Sequence, residues 1–418
     1  MRAIYELLRH NRALRWFLAA HAQSSLGTGA SYVALVVVAY DRFESPWSIS
    51  LVLLAEFLPG IALGPLLGAA ADRWSRRACA IVADLVRAGA FLALPFVDGV
   101  VATVAVAAVA GAGNALFRPA VLAAMPGMVS REHLPAANAA FGALTDIGYT
   151  AGPALAALAM LFTGAEIALV ANGVTFVLSA AVLARLDFGR APAQPEDAEK
   201  RSLLRSAAEG MRAAAARPGI RILIVAPAAV MLFGGIFNVG ELLLAEKELG
   251  GGDAAYSILV AIFGGAVALG SLTGSRGGPI PVLLNRYEAG FLLMALGIVA
   301  AAFAPSVPVA AVDFAVAGFG NGLILVHERI VLQRVTADAI MARIFSVKET
   351  LEAIAFAIAF IAGGAIASAL PTRELFLVAG GGALVIWFIV ALSLRRAAGR
   401  GAFAEVEPDA ALEPAGGA

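Results

Sequence analysis

The 418 residues carry 30 Lys plus Arg against 30 Asp plus Glu, yet only 14% are charged and 61% are hydrophobic, with a mean hydropathy of +0.86. Soluble chains average about 45–50% apolar and about 25% charged residues, so this composition excludes an ordinary soluble enzyme and excludes disorder over most of the length. No basic excess points to nucleic acid, and the lone Cys79 excludes an internal disulfide or a multi-cysteine metal site.

A helix needs about 20 mostly apolar residues to cross the hydrocarbon. Long apolar runs broken by charge, Pro or Gly clusters place six spans at 14–40, 47–70, 78–97, 101–124, 138–161 and 164–185. Six more follow at 219–243, 254–273, 287–304, 307–328, 346–369 and 374–394. The expected fold is all-α, a polytopic integral membrane protein with twelve transmembrane helices in two six-helix halves. The first run follows Arg9, Arg12 and Arg15 as in a signal peptide, but it is too long for such a segment and is expected to be a retained helix.

Cytoplasmic loops of membrane proteins hold the excess of Lys and Arg. With the N-terminus inside, Arg73, Arg76, Arg77, Arg131, Arg276, Arg286, Arg334, Arg343, Arg395 and Arg396 all fall on the cytoplasmic side, as do the basic residues of 190–217. Only Arg42, Lys247 and Arg373 fall outside. This asymmetry places both termini in the cytoplasm. The lack of any Asn-x-Ser/Thr sequon agrees with a bacterial inner membrane.

The chain divides near its midpoint. Residues 1–186 form the first half, 187–218 a polar linker, 219–398 the second half and 399–418 an Ala, Gly, Pro and Glu tail expected to be disordered. Within the linker Leu204, Ala207, Met211 and Ala215 recur at helical spacing among Arg201, Arg205 and Arg212, which suits a short helix on the membrane surface. The run Ala110-Gly111-Ala112-Gly113-Asn114-Ala115-Leu116 is echoed by Ala317-Gly318-Phe319-Gly320-Asn321-Gly322-Leu323. Fourth span then matches tenth, as in halves related by an axis along the membrane normal.

The loop after the second span reads Gly68-Ala69-Ala70-Ala71-Asp72-Arg73-Trp74-Ser75-Arg76-Arg77. It resembles the loop motif of the major facilitator superfamily, with Ala70 where Leu is usual and Ser75 where Gly is usual. The form Asp-Arg-x-Ser-Arg-Arg is similar to the macrolide-efflux and enterobactin-exporter branch. Gly148-Tyr149-Thr150-Ala151-Gly152-Pro153 in the fifth span is similar to the family's antiporter motif, although Ala156 and Ala157 replace its closing glycines. The loop Gly274-Ser275-Arg276-Gly277-Gly278 after the eighth span lacks the Asp-Arg pair.

This resemblance implies a secondary transporter, a proton-coupled exporter of amphipathic small molecules such as a drug, macrolide or siderophore, working as a monomer. It also implies that Gly68, Asp72, Arg73, Arg76 and Arg77 latch the closed cytoplasmic face, and that Gly148, Gly152 and Pro153 bend and pack the fifth span. A non-transporting receptor or interaction protein on the same scaffold is the alternative.

Ionisable groups inside spans are costly and usually face a cavity or a partner. Glu56, mid-way along span two with no basic neighbour within a helical turn, and Asp146 in span five are the candidate proton carriers. His21, Gln23 and Asn114 are candidates for the substrate cavity, where an imidazole or amide could orient a ligand or simply pack. Asp84 and Arg87, three apart on one helix, form a candidate structural pair.

Catalysis is not expected. No Gly-Lys-Ser/Thr sequence offers a phosphate loop, and no Gly-x-Ser-x-Gly elbow occurs. His327-Glu328 begins like a zinc-protease motif, but Val331 stands where the second His must be, so neither metal nor cofactor is expected.

Overall fold

The computed structural model describes residues 8–9, 11–130, 132–160, 162–186, 211–212 and 214–405. The expected latch side chains Gly68, Asp72 and Arg73, the linker positions Leu204 and Ala207, and the tail beyond 405 lie outside the residues or side chains described. In hydrocarbon every backbone N–H and C=O must be satisfied within its own segment, and helices do this without neighbours. Twelve long helices result, and no strand occurs among the described residues.

They are α1 (Arg12–Phe43), α2 (Pro46–Arg73), α3 (Arg76–Ala93), α4 (Val100–Met128), α5 (Leu134–Met160), α6 (Ala165–Leu183), α7 (Pro218–Leu243), α8 (Gly252–Leu272), α9 (Ile280–Ala301), α10 (Val307–Val335), α11 (Asp338–Ala369) and α12 (Thr372–Ala398). Eleven are long and apolar enough to span a bilayer. The exception is α5, whose 27 residues suffice in length but whose apolar character is diluted by Asp146, Tyr149, Thr150 and Pro153.

Several helices outrun the apolar runs that announce them. The tenth was expected to end at 328 and continues to Val335, and the eleventh was expected to begin at 346 and starts at Asp338. An apolar run measures the thickness of the hydrocarbon, whereas the helix itself stops only where caps or turns stop it.

The two halves pack alike. α1 lies on α5 and α6, α2 on α4, and α3 on α4 and α6; in the second half α7 lies on α11 and α12, α8 on α10, and α9 on α10 and α12. The halves join where α2 runs along α11 and α5 along α8. The internal repeat has a physical basis in this arrangement. A Cβ on Gly111 would come within 2.3 Å of the Glu56 carbonyl oxygen of α2, and one on Gly318 within 2.3 Å of the Phe263 carbonyl oxygen of α8. Two residues on, Gly113 abuts Arg87 of α3 and Gly320 abuts Met294 of α9. Each fourth helix of a half is thus held against two neighbours by glycines two positions apart, a close approach that no larger side chain permits.

The end of the bundle carrying the α2–α3 loop is here called the basic face, and the opposite end the far face. The three cations that the charge rule leaves at the far face are all engaged there. Arg42 pairs with Glu166 at 2.5 Å and donates to the carbonyls of Leu94, Pro95 and Val97. Arg373 pairs with Glu248 at 2.8 Å and donates to those of Ala302 and Ala304. Lys247 sits 5.4 Å from the ring centre of Tyr40 in the other half. The two arginines each clasp the loop between two helices, and Lys247 reaches across to the other half.

Candidate functional site

The seam between the halves is where a transported molecule would have to pass. Near the far face it is closed by side-chain contacts. Ser257 of α8 meets the Met160 sulfur of α5 at 3.5 Å, and a Cβ on Gly364 of α11 would lie 2.7 Å from Ser50 Oγ of α2. The carboxylates of Asp41, Glu246 and Asp253 also gather there, within 4.8 Å of one another. Midway along the seam Phe57 of α2 packs edge-on against Phe356 of α11 at 5.3 Å, with Phe360 at 6.0 Å.

Glu56, beside this aromatic cluster, has no hydrogen-bond or ion-pair partner among the described residues. Tyr32 of α1 and Tyr149 of α5 are within its electrostatic reach. Asp146, on the same helix as Tyr149, is exposed and feels Arg329 of α10 across the seam. Asn114 is also exposed, one turn from the exposed Arg118 on α4. These side chains come from α2, α4, α5 and α10, and Tyr149 of α5 is within electrostatic reach of both Glu56 and Arg118.

His21 and Gln23 sit elsewhere. The His21 ring is 6% exposed and stacks on Phe141 at 3.8 Å, with Phe17 and Phe117 beyond, while its Nε2 lies 2.9 Å from Thr145 Oγ1. Gln23 donates to the Thr175 carbonyl of α6 at 2.8 Å. Both ties run within the first half. Asp84 and Arg87 likewise pair in its core, 0% and 5% exposed, and the guanidinium lies between the rings of Phe117 and Phe176 at 4.1 and 4.2 Å.

The second half holds two buried acidic positions that were not among the candidate proton carriers. Glu241 of α7 is 4% exposed, facing Tyr32 and Tyr256, whose buried hydroxyl is unpartnered. Glu328 of α10, 1% exposed, meets Lys348 of α11 at 3.3 Å, and Lys348 also binds Glu352 at 2.7 Å. Their signal was present, since an ionisable residue within a helix of this apolarity is itself a flag. For Glu328 it was masked because the apolar runs end at 328 and resume at 346; Glu241 lies inside the run 219–243, where nothing hid it. Of the two carboxylates on Lys348, Glu328 is the one with no access to water. Glu352→Gln is therefore expected to cost less than about 1 kcal/mol, the range of a partly exposed i,i+4 pair, and Glu328→Gln to cost more, as read from reversible unfolding in detergent micelles.

The two matching halves, the seam along α2, α5, α8 and α11, and the loop after α2 can now be set beside known proteins. The family model for the Major Facilitator Superfamily matches residues 17–287. The chain belongs to that superfamily. Among its relatives is an uncharacterized MFS-type transporter, YfiS, of Bacillus subtilis, 25% identical over 387 residues that span 90% of this chain and 91% of the relative. The multidrug efflux pump Tap of Mycolicibacterium fortuitum is 24% identical over 368 residues, 84% of this chain and 88% of that one. Among solved structures, a mutant form of the nucleoside transporter NupG superposes with a TM-score of 0.76 at 13% identity, covering 91% of this chain and 99% of that chain. An inward-facing, occupied bacterial homologue of the human lysosomal transporter Spinster gives 0.72 at 13% identity, covering 91% and 96%. At these identities the structures establish the fold alone.

As a member of the superfamily the protein is a membrane transporter of small molecules and not an enzyme. Its superfamily loop is tied to the first half from the α3 side: Arg76 donates to the Ala123 carbonyl of α4 at 2.7 Å, and Arg77 to the Ala184 carbonyl after α6. Its antiporter-like glycines, Gly148 and Gly152, face α1, where added Cβ atoms would meet Ser25 at 2.5 Å and Ala30 at 2.6 Å, with Pro153 buried beside them.

Proposed function

We propose that this transporter is a proton-coupled exporter of amphipathic small molecules, acting as a monomer in a bacterial inner membrane with its basic face and both termini cytoplasmic. Gradient-driven exchange needs one site that opens alternately to each side, and two six-helix halves rocking about their seam supply it. With this orientation the contacts between Met160 and Ser257 and around Gly364 close the outer end.

The observation that carries the reading is Glu56. A carboxyl without a cation partner among the described residues, within reach of Tyr32 and Tyr149 and next in sequence to Phe57 of the seam, can bind a proton in one state and a positively charged amphiphile in the other. Ring faces and an apolar wall accommodate varied shapes, while a single carboxyl selects for charge. The names of relatives point the same way: a putative bacilysin exporter, BacE, of Bacillus subtilis is 25% identical over 346 residues, and the Tap relative is a multidrug efflux pump. The latch of Asp72, Arg73, Arg76 and Arg77 belongs to the same proposal, as the contact that would hold the opposite, outward-open state.

The test uses proteoliposomes with an imposed pH gradient and a lipophilic cationic dye. Glu56→Gln is expected to cut gradient-driven dye accumulation at least tenfold, roughly the loss of one interaction worth ~1.4 kcal/mol, while dye counterflow without a gradient persists. Asp146→Asn is expected to weaken accumulation less, because that side chain is open to water. Unchanged coupling in both variants would remove the proton assignment.

A further inference from the structure

Away from the seam, a groove of about 500 Å³ lies on the flank formed by α7 and α12, at the basic face. Among the described residues, those lining it belong to α7, to α12 or to the segment that follows α12. Its composition is graded along the membrane normal. Arg221, Arg396 and Arg400 surround the mouth, and Ile222, Val225 and Ile389 are among the apolar walls that lead inward. From Arg221 to Ala229, the deepest α7 residue of the lining, the helix rises about 12 Å into the bilayer.

Among the described residues, the positive charge at the mouth is not neutralised. All three arginines are exposed, and none has a carboxylate partner among the described residues. Among the described residues, Glu288 pairs with Arg395 and Glu405 with Arg334, both at 3.6 Å. The first turn of α7 has no side-chain cap and no acidic residue, which leaves the positive end of its dipole at the same place. Farther in, Val225 is 48% and Ile389 52% exposed, an apolar surface that suits hydrocarbon.

We propose that this groove binds an anionic phospholipid, with the phosphate held by Arg221, Arg396 and Arg400 and one acyl chain laid between α7 and α12. A free phosphate would satisfy the arginines but not the apolar walls, and a zwitterionic lipid would bring its own cation to the cationic mouth. Charge at one end and hydrocarbon at the other is the pattern of a lipid and of neither part alone.

Native mass spectrometry on delipidated protein tests this with phosphatidylglycerol, with phosphatidylcholine of the same chains, and with inorganic phosphate. Wild-type protein is expected to retain phosphatidylglycerol roughly tenfold or more over phosphatidylcholine. Arg221→Gln, Arg396→Gln and Arg400→Gln together should bring that ratio near one, while Arg395→Gln, whose side chain pairs with Glu288, should leave it unchanged. If the triple variant does not fold, Ile389→Trp, which fills the apolar part with the arginines intact, should reduce retention of the anionic lipid. Equal retention of the two lipids by wild type, a preference that survives the triple variant or the filled groove, or thermal stabilisation by inorganic phosphate equal to that by phosphatidylglycerol would each overturn the assignment.

Discussion

Replacing Gly148 with Leu is expected to abolish the folded protein, with no species of native thermal stability recoverable in detergent. α1 and α5 cross at backbone contact: a Cβ on Gly148 would lie 2.5 Å from the Ser25 carbonyl carbon and 2.6 Å from its oxygen, and one on Gly29 would lie 2.2 Å from the Gly148 oxygen. These neighbours are main chain, so no rotamer change relieves the clash and the helices must separate. Overpacking in a dense core costs about 1–3 kcal/mol even where side chains can move, and a forced separation along α1 exceeds that range. Gly148→Ala adds the same Cβ against the same main chain, so it should exceed the range as well, though by less than Leu.

Gly142 on the same helix supplies the control. Nothing lies within 4 Å of its added Cβ, so Gly142→Ala should change stability by less than about 1 kcal/mol. Comparable melting of the Gly148→Leu and Gly142→Ala proteins, measured by fluorescence-detected size exclusion after heating, would show that the α1–α5 crossing is looser than the geometry states. The second half repeats the device where α7 crosses α11, since a Cβ on Gly235 would meet the Ala359 carbonyl carbon at 2.4 Å. Rocking of halves requires each half to move as a rigid body, and backbone-to-backbone crossings make it one.

What the sequence made legible follows from what hydrocarbon demands. Apolar runs of about 20 residues, separated by charge, can only be helices, so the number of helices and the division into two sixes can be read directly. The repeated glycines of α4 and α10 are visible as letters. Their reason, the carbonyls of Glu56 and Phe263 against them, requires the neighbouring helix. Rotation about each helix axis is the missing quantity. A helix apolar on every side carries no polar stripe to say which face turns inward. That is why His21, Gln23 and Asn114 look equivalent in sequence, while in the fold only Asn114 is exposed and His21 lies among Phe17, Phe117 and Phe141. Glu328 and Lys348 were obscured for a different reason: each falls at the edge of an apolar run, and only helices longer than the bilayer bring them together.

Asp84→Leu is expected to destabilise the first half by about 3–5 kcal/mol, the cost of stranding one member of a buried ion pair. Arg87 would keep its charge at 5% exposure with no carboxylate to meet it. It could not swing out to water, because its stem passes Gly113 of α4, where an added Cβ would lie 2.7 Å from Arg87 Cγ, and its guanidinium is flanked by Phe117 and Phe176. Those two ring faces offset part of the loss, since a desolvated cation–π contact contributes about 2 kcal/mol, so Asp84→Leu should sit at the lower end of the range. Arg87→Met should sit at the upper end, because it leaves a carboxylate at 0% exposure with no ring face or cation beside it. The double variant Asp84→Leu with Arg87→Met removes both charges and keeps the volume, and is expected to be more stable than either single variant, as measured by reversible unfolding in mixed micelles. Additive losses in the double variant would mean that the two side chains act independently. In that case the contact joining α3 to α4 and α6 would rest on the aromatic faces alone.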